Sequence, residues 1–388
     1  MATTLNIGVI GMGWMGMAHS RGYRAIPDRF WDGGIRPRLV ICADDLPARA
    51  QQAQQMFDFD ESTSDWHKVI DHPDVQVVNI ASPNFLHKEM ALAAIAAGKH
   101  VFCEKPIGRY PEEAIEVAEA AQKAGVMTGV GFNYRWAPLV QYTRDLVEAG
   151  KLGELTHYRG RFYSMYGSNP YGQLTWRFKF DQAGYGVLGD IMTHVVDMAH
   201  FLAGPVDRLV SQRNTFIKER PLPVPGRGTH FSVGQPGDPT GDVENEDYIG
   251  TLVEFANGVQ GTLETSRTVF GPKCEMAYEI YGTRGAVKWN FERMNELQVY
   301  LPDEEIGHDG FTTLFGSPDH PLHGRFNPGP AIGLGYDDLK TSEAFHFLKS
   351  IVDGRQIEPG FAAAYAAART NQAMIRSWES GAWEPVAA

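Results

Sequence analysis

Three short stretches carry residue types at spacings that can do chemistry. The first is Gly11-Met12-Gly13-Trp14-Met15-Gly16, between an apolar strand candidate, Leu5–Ile10, and a helical pattern, Met15–Ile26. In a G-x-G-x-x-G turn of this kind, the first glycine permits the tight turn. The second lets backbone approach a pyrophosphate, and the third allows close helix–strand packing. The helix start offers free N–H groups and partial positive charge to the phosphates. The second stretch is Glu104-Lys105-Pro106, directly after the strand candidate Val101–Cys103. Open α/β sheets bind ligands beyond the carboxyl ends of their strands, which puts Lys105 on the nicotinamide side of such a cleft. The third is the helical stretch Gly189–Asp197, where Asp190, His194 and Asp197 fall at i, i+4 and i+7, on one helix face.

The chemistry this combination suits is hydride transfer between a carbinol and a nicotinamide. The hydroxyl proton must leave as hydride departs from the same carbon, and histidine is the side chain whose proton affinity suits a base near neutral pH. His194 is the candidate base. Lys105 would hold the same oxygen and stabilise its developing negative charge. Asp190 would orient the imidazole or grip a neighbouring hydroxyl. The second strand ends at Asp44, where a carboxylate accepts from the adenosine ribose hydroxyls and repels a 2′-phosphate, favouring NAD over NADP. Asp45 is the lesser candidate, and either aspartate alternatively caps the helix over Pro47–Met56. Asp44 follows Gly16 by more than the usual ~20 residues, so Pro27–Pro37 reads as a loop insertion. The Asp/His stripe extends to His200 and would in principle suit a metal. Hydride transfer to NAD needs none, and no metal is expected.

These groups need rigid elements to hold them. Continuous apolar runs at Leu39–Ala43, Val75–Ala81, Val101–Cys103 and Met127–Val130 alternate with helical patterns near Phe85–Ala97 and Pro111–Lys123. That order predicts a parallel sheet covered on both faces. Later the pattern changes. Leu155–Tyr166 alternates like a strand, Val187–Leu202 has helical periodicity, and from Tyr248 onward strands are joined by hairpin signals at Asn257-Gly258 and Gly282–Gly285. The class is therefore α/β plus α+β: a Rossmann dinucleotide-binding domain over 1–133, then a domain over 134–388 with an open, mostly antiparallel sheet. Helices near Asp337–Val352 and Ala362–Ser377 close the chain and are candidates to pack back on the first domain. Pro221–Asp242 and Pro302–Gly335 read as long irregular loops, the latter with His308, His320 and His323.

Composition narrows the partners. The 388 residues carry 35 Lys+Arg against 47 Asp+Glu, a net charge of −12, which disfavours nucleic acid and anionic membranes. Three cysteines, Cys42, Cys103 and Cys274, are too few for a disulfide framework and fit a reducing cytoplasm. Gly8, Gly11, Gly13 and Gly16 would break any apolar signal block near the start.

The glycine motif, the strand end Val78–Asn84 with His87, the E-K-P triplet and the G-D-x-x-x-H helix together resemble the Gfo/Idh/MocA oxidoreductases, in that family's order and over almost the whole chain. The resemblance implies an N-terminal Rossmann domain for NAD(P) and a C-terminal α+β domain. It places the catalytic lysine on Lys105 and the helix pair on Asp190 and His194. It adds Ser82, Asn84, His87 and Glu104 to Gly11, Gly13, Trp14, Met15, Gly16, Asp44 and Lys105 as cofactor-binding candidates. Glu104 alternatively holds Lys105. Ser62–Trp66, Phe132–Arg135 and Trp176–Phe178 resemble the sugar and glycoside 3-dehydrogenases within the family. The implied reaction is oxidation of a ring hydroxyl, C3 of a neutral sugar such as levoglucosan or a glucoside. An inositol-type cyclitol dehydrogenase, a ketosugar reductase and a non-catalytic NAD-binding sensor are the alternatives. Aromatic faces with short polar groups suit a pyranose, so Asn133, Tyr134, Arg135, Tyr163, Trp176 and Arg177 are the candidate sugar contacts. A homo-oligomer, dimer or tetramer, is expected to form through the strands Tyr248–Tyr300, with Tyr248, Ile249, Leu252, Val253 and Phe255 as interface positions.

Overall fold

The structure is a computed structural model that describes residues 2–223, 232–302 and 310–386. Backbone proximity divides it into two units: Met1–Trp136 with Leu322–Ala366, and Ala137–Pro321 with Ala367–Ala388. The expected break at 133/134 thus falls at 136/137. The segment Leu322–Ala366 counts with the first unit, and only the last helix runs on into the second. His308 and part of each long loop lie outside the described residues.

In the first unit six strands pair in the order β3-β2-β1-β4-β5-β6, all parallel: β1 (Thr3–Ile10), β2 (Ile35–Ala43), β3 (Glu61–Thr63), β4 (Val77–Ile80), β5 (His100–Cys103) and β6 (Thr128–Val130). Their residues are buried on both alternations (Ile7, Val9 and Ile10; Val77, Val78 and Ile80), as a sheet covered on both faces requires. The crossover helices are α1 (Trp14–Arg29), α2 (Pro47–Phe57), α3 (His67–Asp71), α4 (His87–Ala96) and α5 (Pro111–Ala124). The stretch Pro27–Pro37 is not a loop insertion. Pro27 lies in the last turn of α1 and Pro37 lies inside β2, and only residues 30–34 between them form a turn.

The second unit is built on a nine-stranded sheet that is antiparallel except where β7 meets β12. Helix α6 (Pro138–Glu148) precedes β7 (Leu155–Ser164). A short helix α7 (Phe180–Ala183) and a wide π-turn, Leu188–Met192, lead into α8 (Thr193–Ala203). Then come β8 (Val206–Asn214), a small pair β9 (Glu219–Pro221) and β10 (Thr240–Asp242), and β11 (Tyr248–Phe255), β12 (Gln260–Ser266), β13 (Cys274–Gly282), β14 (Ala286–Asn290), β15 (Glu296–Tyr300), β16 (Thr312–Phe315) and β17 (Glu384–Pro385). Hairpins form where the glycines predict them: Gly258 takes φ +87°, and the Gly282 N–H donates to Gly285 O at 2.8 Å. Helix α9 (Tyr336–Asp353) belongs to the first unit, and α10 (Phe361–Ser380) begins there.

Helix α8 covers one face of this sheet through β7 and β12. Of the five proposed interface positions, Ile249, Val253 and Phe255 point inward and are buried, while Leu252 and Tyr248 are on the other alternation. The outer face is laced with ion pairs, Arg161 to Glu275 at 2.8 Å and Arg208 to Glu254 at 2.6 Å. It is therefore not the bare apolar surface the sequence suggested.

Candidate active site

The glycine turn is shaped by three different constraints. Gly11 takes φ +88°, and a Cβ there would lie 2.7 Å from the Ala81 carbonyl carbon. At Gly16 a Cβ would lie 1.9 Å from Gly11 O, so α1 starts in contact with the turn. Gly13 caps α1 without a side-chain hydrogen bond, and a Cβ there would meet nothing within 4 Å. Open space beside a bare backbone and an uncapped helix start is a cradle for an anion such as a pyrophosphate. The residues present thus fit a dinucleotide. Trp14, 67% exposed, stacks on Tyr336 at 5.5 Å, and Met15 accepts from the Tyr336 hydroxyl through its sulfur at 3.6 Å.

Asp44 is buried, and both its oxygens have protein partners. Oδ2 accepts the Met12 N–H at 2.8 Å, and Oδ1 accepts the Leu46 N–H at 3.0 Å, with Arg49 Nη1 at 3.3 Å. The carboxylate fastens the glycine turn to the residue that precedes α2, from a position just past the end of β2, without capping a first-turn N–H of that helix. Asp45 is exposed.

His87 departs from its expected cofactor contact. Its Nδ1 faces Pro106 O at 2.7 Å and its Nε2 faces Ser82 O at 2.8 Å, so the ring braces the end of β4 against the loop after β5. Burial lowers its pKa, against the pull of those two carbonyls. Ser82 lies against Gly11, whose Cβ would meet Ser82 N at 2.7 Å, and Asn84 is buried in the turn before α4. Glu104 also turns inward. Its Oε1 accepts from His19 Nε2 at 2.8 Å and Lys340 Nζ at 2.7 Å, and its Oε2 accepts the Lys105 N–H at 3.3 Å. Of the two roles open to Glu104, the geometry favours holding Lys105 over touching cofactor. Asn133, Tyr134 and Arg135 form a buried turn after β6, where the Asn133 amide nitrogen has no hydrogen-bond partner among the described residues. Trp136 in the same turn stacks on His346 at 4.0 Å.

In the second unit, Asp190 lies in the π-turn and His194 in the first turn of α8. The ideal-helix spacing assumed for this pair is broken by the wider turn, a feature often found at functional sites. Tyr166 donates to Asp190 Oδ2 at 2.8 Å. Burial and the Asp190 charge raise the Tyr166 pKa, so the phenol stays a neutral donor. His194 is buried, with its ring 6.0 Å from that of Phe162. Asp197 is buried one turn further on, close enough to Tyr158 to help raise its pKa behind the larger effect of burial.

Tyr163 does not join this group. It alternates with Phe162, so it projects from the opposite face of the sheet, where its hydroxyl donates to Glu264 at 2.5 Å and it lines an open pocket of about 410 Å³ with Tyr248 and Phe270. Trp176 and Arg177 form a short turn in which the guanidinium lies 4.5 Å over the indole. Arg177 O accepts from Asn245 at 3.0 Å.

A family model described as the oxidoreductase family with an NAD-binding Rossmann fold matches residues 5–132, and the Gfo/Idh/MocA C-terminal domain model matches residues 140–288. The chain belongs to the Gfo/Idh/MocA oxidoreductases. It is an oxidoreductase whose cofactor is NAD. It is 39% identical to levoglucosan dehydrogenase of Pseudarthrobacter phenanthrenivorans over 382 residues, 98% of each chain. A structure of levoglucosan dehydrogenase in complex with NADH and levoglucosan superposes with a TM-score of 0.93 at 38% identity, covering 100% of both chains. An NAD-binding oxidoreductase from Klebsiella pneumoniae gives 0.92 at 34% identity, again covering 100% of both.

The sequence groups Tyr166 with Tyr163 among the aromatics near the cleft, and the sheet alternation could have separated the two. Two other residues that shape these sites in the oxidoreductase escaped the motif reading. His19 lies within the first helical pattern and looks like any core position. Lys340 is 236 residues from Glu104, and no local signal could connect them. Among the described residues, no helix is long and apolar enough to cross a membrane.

Proposed function

We propose that this oxidoreductase removes hydride from a ring secondary carbinol, at C3, of a neutral sugar such as levoglucosan or a glucoside. The observation that carries this reading is the likeness to levoglucosan dehydrogenase along the full length of both chains, at 39% identity. Bound NAD+ supplies the hydride acceptor. The backbone of Gly11, Gly13 and Gly16 and the start of α1 would hold its pyrophosphate, and Asp44 would accept from its ribose hydroxyls. His194 takes the hydroxyl proton as the alkoxide forms, and the Lys105 ammonium donates a hydrogen bond to the same oxygen. Asp190, held by Tyr166, accepts from a neighbouring sugar hydroxyl. The products are the ketosugar, the reduced nicotinamide and one proton.

An uncharged ring suits the available groups. Arg177 lies against Trp176 and Arg135 is buried in its own turn, so neither is set up as half of a bidentate phosphate grip. The protein is a homo-oligomer in this reading, pairing through the outer face of the second sheet by its polar as well as its apolar positions, in a cytoplasmic setting.

The test is NAD reduction on levoglucosan, glucose, a glucoside, myo-inositol and glucose 6-phosphate. Levoglucosan or the glucoside is expected to give the highest kcat/KM. Preference for myo-inositol or for the phosphate overturns the substrate class. Tight NAD binding with no turnover on any of them supports the sensor alternative. Product analysis by NMR locates the carbonyl at C3 or refutes that position.

A further inference from the structure

We propose that Lys340 is a positioning residue for Lys105, acting from helix α9 through the Glu104 carboxylate. The inference rests on the reading of Lys105 as the group that holds the reacting oxygen. Lys340 is completely buried, and its ammonium donates to Glu104 Oε1 at 2.7 Å and to Glu343 Oε2 at 3.0 Å. The same Glu104 oxygen accepts from His19 Nε2 at 2.8 Å, while the other oxygen receives the Lys105 main-chain N–H at 3.3 Å. The end of β6 closes over this second oxygen. A Cβ on Gly131 would lie 2.4 Å from Glu104 Oε2, so only bare backbone fits there. Both carboxylate oxygens are thereby fixed, and the peptide from which Lys105 projects is fixed with them.

Helix α9 is itself pressed against α1. A Cβ on Gly22 would lie 3.2 Å from Lys340 O, so the lysine's starting point has little play. One carboxylate thus ties together the helix behind the glycine turn, the catalytic lysine and a helix more than two hundred residues later. Burial alone would push Glu104 toward its neutral form, but Lys340 and His19 hold the carboxyl well below its usual range. Burial lowers the His19 pKa and Lys340 lowers it further. Because a carboxylate oxygen only accepts, the His19 nitrogen facing it, Nε2, is the one that carries a proton. Stability alone does not call for this cluster, because replacing buried ion sets by well-packed apolar side chains is often neutral or stabilising. The other titratable groups close to Glu104 are Cys103 and Lys105 of its own strand end and His87 of α4.

The experiment compares Lys340→Met, Lys340→Met/Glu343→Leu and Lys105→Ala with the wild-type protein, using the sugar that gives the best turnover. The double variant removes the ammonium together with its second carboxylate, so residue 343 carries no buried charge left without its cation. Positioning predicts a kcat at least tenfold lower, with the dissociation constant for NAD, read by fluorescence, within about threefold of wild type. It also predicts that the acid limb of the kcat profile moves to higher pH, because Glu104 without its cation takes up a proton more readily. An unchanged kcat and pH profile in a folded variant overturns the proposal. So does a parallel loss of melting temperature, NAD affinity and turnover in both variants, which marks a purely structural role. If Lys105→Ala itself keeps wild-type turnover, the reading of Lys105 fails first and the positioning role falls with it. If Lys105→Ala is inactive while the double variant is normal, only the role of Lys340 is refuted.

Discussion

Replacing Gly13 by alanine separates the two jobs of the glycine turn. Gly13 has φ −72° and ψ −163°, a conformation alanine adopts without strain, and its added methyl would meet no protein atom within 4 Å. Stiffening the unfolded chain favours the variant by about 0.4–1 kcal/mol. The weaker helix-capping preference of alanine costs a similar amount. The two nearly cancel, so the melting temperature without cofactor should stay within about 2 °C of wild type. The methyl does occupy the space where a pyrophosphate must approach the backbone. A loss of at least tenfold in NAD affinity is expected, equivalent to about 1.4 kcal/mol. Gly16→Ala is the contrast. Its Cβ would fall 1.9 Å from Gly11 O, so it should lower both the melting temperature and NAD affinity. Differential scanning fluorimetry of the cofactor-free proteins and titration calorimetry with NAD read the two effects separately. If Gly13→Ala binds NAD like wild type, or melts as early as Gly16→Ala, the cradle has been misread.

Lys105→Ala and His194→Ala should each lose ~10²–10⁴ in kcat while still binding NAD, which single-turnover absorbance and fluorescence titration check. Tyr166→Phe removes the 2.8 Å bond to Asp190 and should lower kcat/KM for the sugar about tenfold; Tyr163→Phe, on the opposite face, should leave it unchanged, and steady-state kinetics on both separates them. Asp44 predicts a kcat/KM for NAD at least tenfold above that for NADP, and a preference for NADP removes Asp44 from the ribose. Burial holds the His346 pKa down at about 4, below its unfolded value of about 6.5, so the unfolded chain binds more protons between these limits. This contribution is fully present above about pH 6.5 and shrinks as pH falls toward 4, by up to about 3 kcal/mol. Urea denaturation at pH 7.5 and 5 should show a smaller difference in His346→Gln than in wild type.

The first unit was largely legible because its signals are local. Apolar strands, a glycine turn and strand-end motifs each sit within a few residues, and the parallel sheet orders them by short crossovers. Errors arose where the inference needed more than spacing. Pro27 and Pro37 suggested a loop, yet a proline is tolerated in the last turn of α1 and within β2. The face of β7 was ambiguous until Phe162 was seen against His194, since a shift of one residue moves every side chain to the other side. That single alternation decides between Tyr163 and Tyr166. The π-turn at Leu188–Met192 was invisible, because the apolar spacing there is compatible with an ordinary helix.

Glu104 shows why part of a site stays hidden even when its motif is plain. The E-K-P triplet announces that the residues matter but not which way each one turns. In an open strand end, a carboxylate beside Lys105 would naturally be assigned to the cofactor. Here, partners from α1 and α9 draw it inward, and the nearer of the two is already 85 residues away. Buried carboxylates persist only when such partners satisfy them. A motif glutamate that the fold buries therefore points to a donor elsewhere in the chain. In this protein those donors are His19 of α1 and Lys340 of α9, the latter in the segment that returns to the first unit after the second is built.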